Sequence, residues 1–394
     1  MLNLKTIIVM AFLLRAAAFV FTGGYNNDYY WEYGETAKNL MNGKGYSLFY
    51  YDGQHLEHHF NVDAKPYPSA YMSPGYAFFL YPFLTIKSLP IRNILLFLVQ
   101  VFISLAVIIL LFKVTKNIFN DKAALIAALI YAVTPDVVYA VVSYTPTVIY
   151  HLLVILLIYF LTGKKNLLIN TFVISLIFTL TIYFRGEFLF FLMFYLGYLF
   201  TKKRMKEAAI ILTVTVTLTL PWVIRNYFVF EKPLFSTGAG INLYRGNNKL
   251  EIGAWGDDEV FKKLKTFEGE HFEIKMNDFY TNEAVSFIKS NPAKFVTNIF
   301  RKFYSFWGIT PDGKVVNSIF QFSWFLVLIS FLYGVLKAYS WQKFKYYYMF
   351  FILSTVITLI FFPMPRYQTM MKILMFPFCG YAFSLLLMKF KTKN

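Results

Sequence analysis

The sequence predicts an all-α polytopic membrane protein, and three observations carry that prediction. Hydrophobic residues make up 58% of the chain and charged residues only 15%, against roughly 45–50% and 25% in soluble domains. The mean hydropathy is +0.51. The apolar residues gather into about ten segments close to the roughly 20 residues that a helix needs to cross hydrocarbon. The 38 Lys and Arg outnumber the 21 Asp and Glu, and they cluster in every second loop.

The apolar segments lie near 6–22, 91–112, 123–141, 144–162, 167–184, 187–201, 207–223, 317–336, 346–362 and 368–388. Lys113, Lys116 and Lys122 fill the loop after the second, and Lys164 and Lys165 the loop after the fourth. Lys202, Lys203, Arg204 and Lys206 follow the sixth, Lys343 and Lys345 the eighth, and Lys389, Lys391 and Lys393 the tenth. Basic loops face the cytoplasm, so both termini are expected there, in a multi-pass protein of the cytoplasmic membrane. The net charge of +17 then reads as orientation and contact with anionic membrane lipids. Nucleic acid is not an expected partner, because no soluble basic domain exists to hold it.

The first segment carries Arg15 at its middle and lacks a small-residue cleavage pattern, so it reads as a retained span. PGYAFFLYPFLTI, residues 74–86, is too short to cross and contains Pro82; it reads as a juxtamembrane or re-entrant helix. This divides the chain into a transmembrane module at 1–227 with a first outer loop at 23–90, a second outer loop at 228–315, and C-terminal spans at 316–394. The second loop is polar, with helical pieces around 258–289 and 292–306. Cys379 is the only cysteine, so no disulfide forms within the chain.

YNNDYYWEYGETAKNL, at the head of the first outer loop, is acidic in a basic protein. On a helical wheel Tyr29, Tyr30, Tyr33, Ala37, Leu40 and Met41 share one side; Asp28, Glu32, Glu35 and Asn39 share the other. The stretch reads as an interfacial helix with tyrosines in the headgroups and carboxylates in water, ended by Gly43 and Gly45. Asp28 reads either as an N-cap or as a general base at the lipid surface.

Five stretches together resemble the GT-C superfamily of polyprenyl-phosphate-sugar-dependent glycosyltransferases, in the branch of protein O-mannosyltransferases and lipid A aminoarabinose transferases. They are Asp28 with Tyr33, Ala37-Lys38-Asn39-Leu40 and Gly43-Lys44-Gly45-Tyr46; SAYMSPGYAFFL at 69–80; LPWVIRNYFVF at 220–230; STGAGINLYRGNN at 236–248; and PRYQ at 365–368. The resemblance covers most of the chain. It implies a GT-C-like bundle with juxtamembrane helices in a long first outer loop, and an active site on the extracytoplasmic face. It also implies a hexosyl- or pentosyltransferase that works with inversion. The implied partners are a polyprenyl-phosphate-sugar donor and a glycan, lipid or protein acceptor. Asp28 is the implied catalytic base. The spacing to Tyr33 is one residue longer than in many relatives, which keeps Glu32 as the alternative. The matched motifs put Arg225, Asn226, Tyr227, Asn242, Asn247, Arg366 and Tyr367 at the substrate. Many relatives carry an acidic residue in the second outer turn, where this chain has SYTPT; the nearest carboxylate is Asp136.

Arg185 in YFRGEF lies at an outer helix end, like Arg225 and Arg366. Three guanidinium groups there suit a phosphate, whose oxygens they pair with bidentately; snorkelling to headgroups is the other reading. Arg15 lies inside a span and is expected to pair, with Glu187 or a loop carboxylate. His55, Glu57, His58 and His59 fall in an irregular loop that does not promise metal geometry. The expectation is therefore no cofactor and no metal, and a divalent ion has no further support. His151 reads as a packed histidine. A flippase for a lipid-linked glycan is the alternative function. It predicts an inverted repeat and charges inside several helices, where only Arg15 stands out.

Single cysteines placed in 23–90 and in 113–122, in a Cys379→Ser background, are expected to react with an impermeant reagent from opposite sides of the membrane. Labelling of both from one side would remove the orientation.

Overall fold

The computed structural model describes residues 3–51, 56–163, 167–248, 267, 269, 271–308 and 318–391. Its apolar helices occupy the ten positions marked by hydropathy. Six are long and apolar enough to cross a membrane alone. These are α1 (Leu4–Phe21), α4 (Leu89–Ile118), α10 (Met205–Phe230), α14 (Ser318–Ala338), α15 (Trp341–Ile360) and α16 (Pro365–Lys391). The span expected at 123–141 is broken into α5 (Asp121–Val133) and α6 (Pro135–Val142), bent by 55°. Pro135 has no N–H to continue the ladder and forces Thr134 into an extended conformation. The shorter apolar helices are α7 (Thr147–Thr162), α8 (Leu167–Phe184) and α9 (Phe188–Thr201).

Local sequence explains the starts. Asn3, Asn120 and Ser340 cap α1, α5 and α15, each accepting the backbone N–H three residues on. Proline stands in the first turn of α4, α6 and α3 (Pro74–Leu84), where its missing N–H costs nothing.

α16 is the centre of the bundle, lying against α5 on one side and α14 on another. α5 offers it Ala123, Ala124, Ala127 and Ala128, all buried. Gly380 lies so close to α5 that a Cβ would stand 2.3 Å from the Ala123 carbonyl oxygen. Small residues let the backbones meet, which is how helices gain dispersion contact without a hydrophobic driving force between them.

The connections gather at the opposite end from the basic turns. α2 (Trp31–Met41) packs on α3. A short antiparallel hairpin pairs Tyr50–Tyr51 with Leu56–Glu57. The second loop contributes α11 (Ala239–Gly246), α12 (Phe272–Ser290) and α13 (Pro292–Trp307). The part of the expected helical piece at 258–266 lies outside the described residues, as do His55, Lys164 and Lys165.

Four expectations are corrected here. α2 starts at Trp31, after an N-cap at Tyr30, so Asp28 is not its cap. Its two sides are also not divided between headgroups and water: Tyr30, Tyr33 and Ala37 are buried within the protein, and Glu35 is 2% and Asn39 3% exposed. The wheel assigned polar residues to water, but the covering loop takes them. Asn39 donates to the Ser47 carbonyl at 3.1 Å, and Glu35 accepts the Phe60 N–H. Gly43 and Gly45 do end the helix, at φ of 72° and 69°. Arg15 finds no carboxylate. It bonds Ser104 Oγ at 2.9 Å and the Ala11 and Ala132 carbonyls at 3.1 Å, because Glu187 is held by Arg185. Nor is Arg15 the only charge inside the bundle. Lys372 Nζ donates to Asp136 Oδ1 at 2.6 Å, with both side chains buried.

Gly380→Ala is expected to lower the thermal unfolding temperature in detergent, since overpacking typically costs about 1–3 kcal/mol. Gly197→Ala, on α9 with nothing near its would-be Cβ, is expected to be neutral or stabilising. Equal melting of the two would refute the tight α5–α16 seam.

Candidate functional site

A cavity of about 360 Å³ opens where the loops meet the bundle. Its apolar wall comes from Phe188 and Phe191 of α9, Ile357 of α15 and Met370 of α16. Its polar groups come from the α8–α9 turn, the start of α16, and the two loops.

The polar end is built around one ring. Arg185 lies with its guanidinium carbon 5.4 Å from the centre of Tyr367, and Arg366 lies 5.8 Å from the same centre. Arg185 is committed: its Nε donates to Glu187 Oε1 at 2.6 Å, and Nη2 reaches the same oxygen. Arg366 is exposed and makes no hydrogen bond or ion pair with any described residue. Two cations against one aromatic ring, one of them without an anion among the described residues, form a ready site for a negatively charged group. Tyr33 lines the same cavity. Burial pushes its phenol up to about 12, while Arg185 and Arg366 pull it the other way. At neutral pH it is therefore protonated and able to donate to an anion.

The loops are fastened by a second arginine. Arg225, on α10, sends Nη2 to the Tyr46 carbonyl and Nη1 to the Ser69 carbonyl, both at 2.7 Å. Next to these, the buried Glu273 of α12 accepts the Ala70 N–H at 2.9 Å and the Thr237 hydroxyl at 2.6 Å. Burial raises the Glu273 carboxyl, and the donors at Ala70, Ser69 and Thr237 oppose that rise. Thr237 N–H in turn donates to Ala70 O. The fastening holds Tyr71 to Ser73 and Phe235 to Asn242 in place as cavity wall. Gly186 N–H closes the ring by donating to Ser73 Oγ at 3.0 Å.

The structure therefore brings together Arg185, Asn242, Arg366 and Tyr367 of the residues expected at the substrate. Arg225 and Asn226 lie outside the lining; Asn226 ties the Leu234 carbonyl at 2.9 Å. Tyr227 is exposed on α10 and touches Phe228. Asn247 is buried behind the wall, bonding the Ile360 carbonyl at 2.8 Å and accepting from Lys302 at 3.1 Å. Burial drops the Lys302 ammonium to about 7, among carbonyls only. Asp28 also lies outside the lining. Its Oδ1 accepts from Arg92 at 2.7 Å, Lys38 stands 3.7 Å from Oδ2, and its side chain is 61% exposed. Among the described residues, no three His, Cys, Asp or Glu side chains converge as for a metal.

Sequence reasoning did not single out Glu273 or Lys302, nor the Asp136–Lys372 pair. Asp136 and Lys372 each carried a signal, as a charge inside an apolar segment, but nothing in the sequence paired them.

The family model for dolichyl-phosphate-mannose-protein mannosyltransferases matches residues 71–225, from the cavity wall to the loop-fastening arginine. No curated protein sequence matches the chain. The oligosaccharyltransferase AglB of Archaeoglobus fulgidus, solved with an inhibitory peptide and a dolichol-phosphate, aligns with a TM-score of 0.56 at 13% identity. The alignment covers 98% of this chain and 50% of that one. The same organism's oligosaccharyltransferase tethered to an acceptor peptide gives 0.57 at 12% identity, with 98% and 50% covered. ArnT from Cupriavidus metallidurans, bound to undecaprenyl phosphate, aligns with a TM-score of only 0.41 at 11% identity, over 96% of this chain and 77% of its own. The chain thus has the fold of the GT-C membrane glycosyltransferases, and it spans about half the length of the two archaeal structures it matches.

The two arginines are expected to behave differently when replaced by alanine. Arg225→Ala loses two charge-assisted bonds to backbone carbonyls, each worth about 1.5–3 kcal/mol, and should melt several degrees lower. Lysine at 225 should restore only part of that, because the fork is lost. Arg366→Ala should leave the melting temperature nearly unchanged. A thermal shift assay in detergent decides, and equal melting of Arg225→Ala and wild type would sink the fastening role.

Proposed function

We propose that the chain is an integral-membrane glycosyltransferase of the extracytoplasmic face. It moves a hexosyl or pentosyl group from a polyprenyl-phosphate-linked donor to a hydroxyl of a cell-envelope glycan, lipid or protein. The observation that carries this reading is the pair of guanidinium groups on Tyr367, one uncommitted, at the polar end of an apolar-walled cavity. The family model names a lipid-phosphate-sugar donor, and the archaeal structure of the same fold was solved with a lipid phosphate.

In this reading the prenyl chain lies along Phe188, Phe191 and Met370, and the phosphate meets Arg366, Arg185 and the Tyr33 hydroxyl. When the anomeric C–O bond breaks, its electron pair stays on the phosphate oxygen. The cations stabilise that charge in a low-dielectric site, where such stabilisation is strongest. The acceptor oxygen attacks from the opposite face, so the anomeric centre inverts. Its proton goes to a carboxylate at the loop side. Asp28 is the proposed base, on the same segment as Tyr33 and aligned between Arg92 and Lys38; Glu32 is the alternative.

Purified protein is expected to release polyprenyl phosphate and glycosylate acceptor in detergent, without vesicles. A flippase would show translocation only. Arg366→Ala should use donor poorly, with lysine a partial rescue. Asp28→Asn should bind donor and transfer about 10²–10⁴-fold more slowly, and Glu32→Gln should be mild. The reverse order would move the base to Glu32. Near-normal rates in both would place the base outside this segment.

A further inference from the structure

We propose that Asp136 is a positioning residue for the anion site: it sets the rotation of α16, and so the placement of Arg366, from the side of the helix that faces away from the cavity. The proposal rests on the reading of that cavity as a lipid-phosphate site.

Asp136 spends both carboxylate oxygens on one helix. Oδ1 accepts from Lys372 Nζ and Oδ2 from Thr369 Oγ1, each at 2.6 Å. Thr369 and Lys372 are three residues apart, so they share a face of α16. Arg366, Tyr367, Met370 and Met371 line the cavity. At 3.6 residues per turn their mean direction is about 160° round the helix from that of Thr369 and Lys372. Two bonds to one rigid carboxylate fix rotation and axial slide together, which one bond could not do. Among the described residues Asp136 is the only carboxylate bonded to α16. Asp136 stands in the first turn of α6, directly after the 55° break at Pro135. Two further contacts hold the same turn: Gln368 donates to the Phe306 carbonyl at 2.6 Å, and His151 Nε2 meets the Thr369 carbonyl at 3.0 Å. Arg366 makes no hydrogen bond or ion pair with any described residue, so its placement comes from the helix that carries it.

Two readouts test this, one of them independent of any lipid. The first is binding of a short-chain isoprenyl monophosphate to purified protein, by titration calorimetry. The second is the maleimide labelling rate of Met370→Cys in a Cys379→Ser background without ligand. Asp136→Asn is expected to weaken isoprenyl phosphate binding at least tenfold and to change the labelling rate severalfold. Lys372→Met should do the same. The double variant Asp136→Asn/Lys372→Gln, which restores a neutral hydrogen-bonded pair, should recover part of both. Lys345→Met removes a part-buried charge that bonds the Tyr198 hydroxyl at 2.6 Å, away from the break and from α16, and serves as the control for general loosening; it should leave both readouts near wild type. Wild-type values in Asp136→Asn, or equal effects from Lys345→Met, would overturn the positioning role. Failure of the unmodified protein to bind isoprenyl phosphate would instead remove the lipid-phosphate reading. The labelling rate would then decide alone whether Asp136 places α16.

Discussion

The constraint on which the rest of this structure depends is that backbone carbonyls freed by breaks and loops must find donors near a membrane that offers little water. The protein meets it with amides, such as Asn93 on the Gly24, Tyr25 and Asn27 carbonyls, and also with cations. Arg15 takes the Ala11 and Ala132 carbonyls, Arg225 those of Tyr46 and Ser69, Lys302 that of Leu359, and Lys44 those of Asn61, Val62 and Ala64. A charged donor makes a stronger bond than a neutral one, and a long side chain can reach a carbonyl that no neighbouring strand or helix serves. Much of the internal positive charge is therefore structural, and a count of arginines overstates how many are free to meet a ligand.

Against that background Arg366 is distinct because nothing claims it. Arg185 is neutralised by Glu187, and Arg225 is spent on the loops. The cavity then holds two guanidinium groups and one carboxylate, an excess of one positive charge in apolar surroundings. Coulomb attraction there is far less screened than in water, so a single uncommitted cation suffices to define where an anion sits.

The parts of this architecture that follow from local pattern were legible in the sequence. Apolar runs located the helices, and Lys and Arg marked one set of turns. Ordered motifs picked out Asn242, Arg366 and Tyr367, and position at an outer helix end picked out Arg185; all four line the cavity. What was not legible depends on partners far apart in the chain. Asp136 and Lys372 are 236 positions apart, and no periodicity links them. Arg225 was found by its motif, but its role lies in two loop carbonyls that only the folded loops present. The wheel for α2 failed for the same reason: Glu35 and Asn39 are polar because a covering loop needs them, not because water does. The break at Pro135 had a local signal that hydropathy averaging erased.

The short helices α7, α8 and α9 bear on the surrounding lipid as well as on the protein. They have 16, 18 and 14 residues, or about 24, 27 and 21 Å, beside a hydrocarbon core of about 30 Å. A bilayer adjoining so short a wall must thin to meet it, at a modest cost per ångström of mismatch. The α8–α9 turn carries Arg185 and Glu187, which line the polar end of the cavity. Two helices shorter than the hydrocarbon thus meet at that end, and under the proposed function a donor's headgroup would have less hydrocarbon to clear there than beside the longer spans.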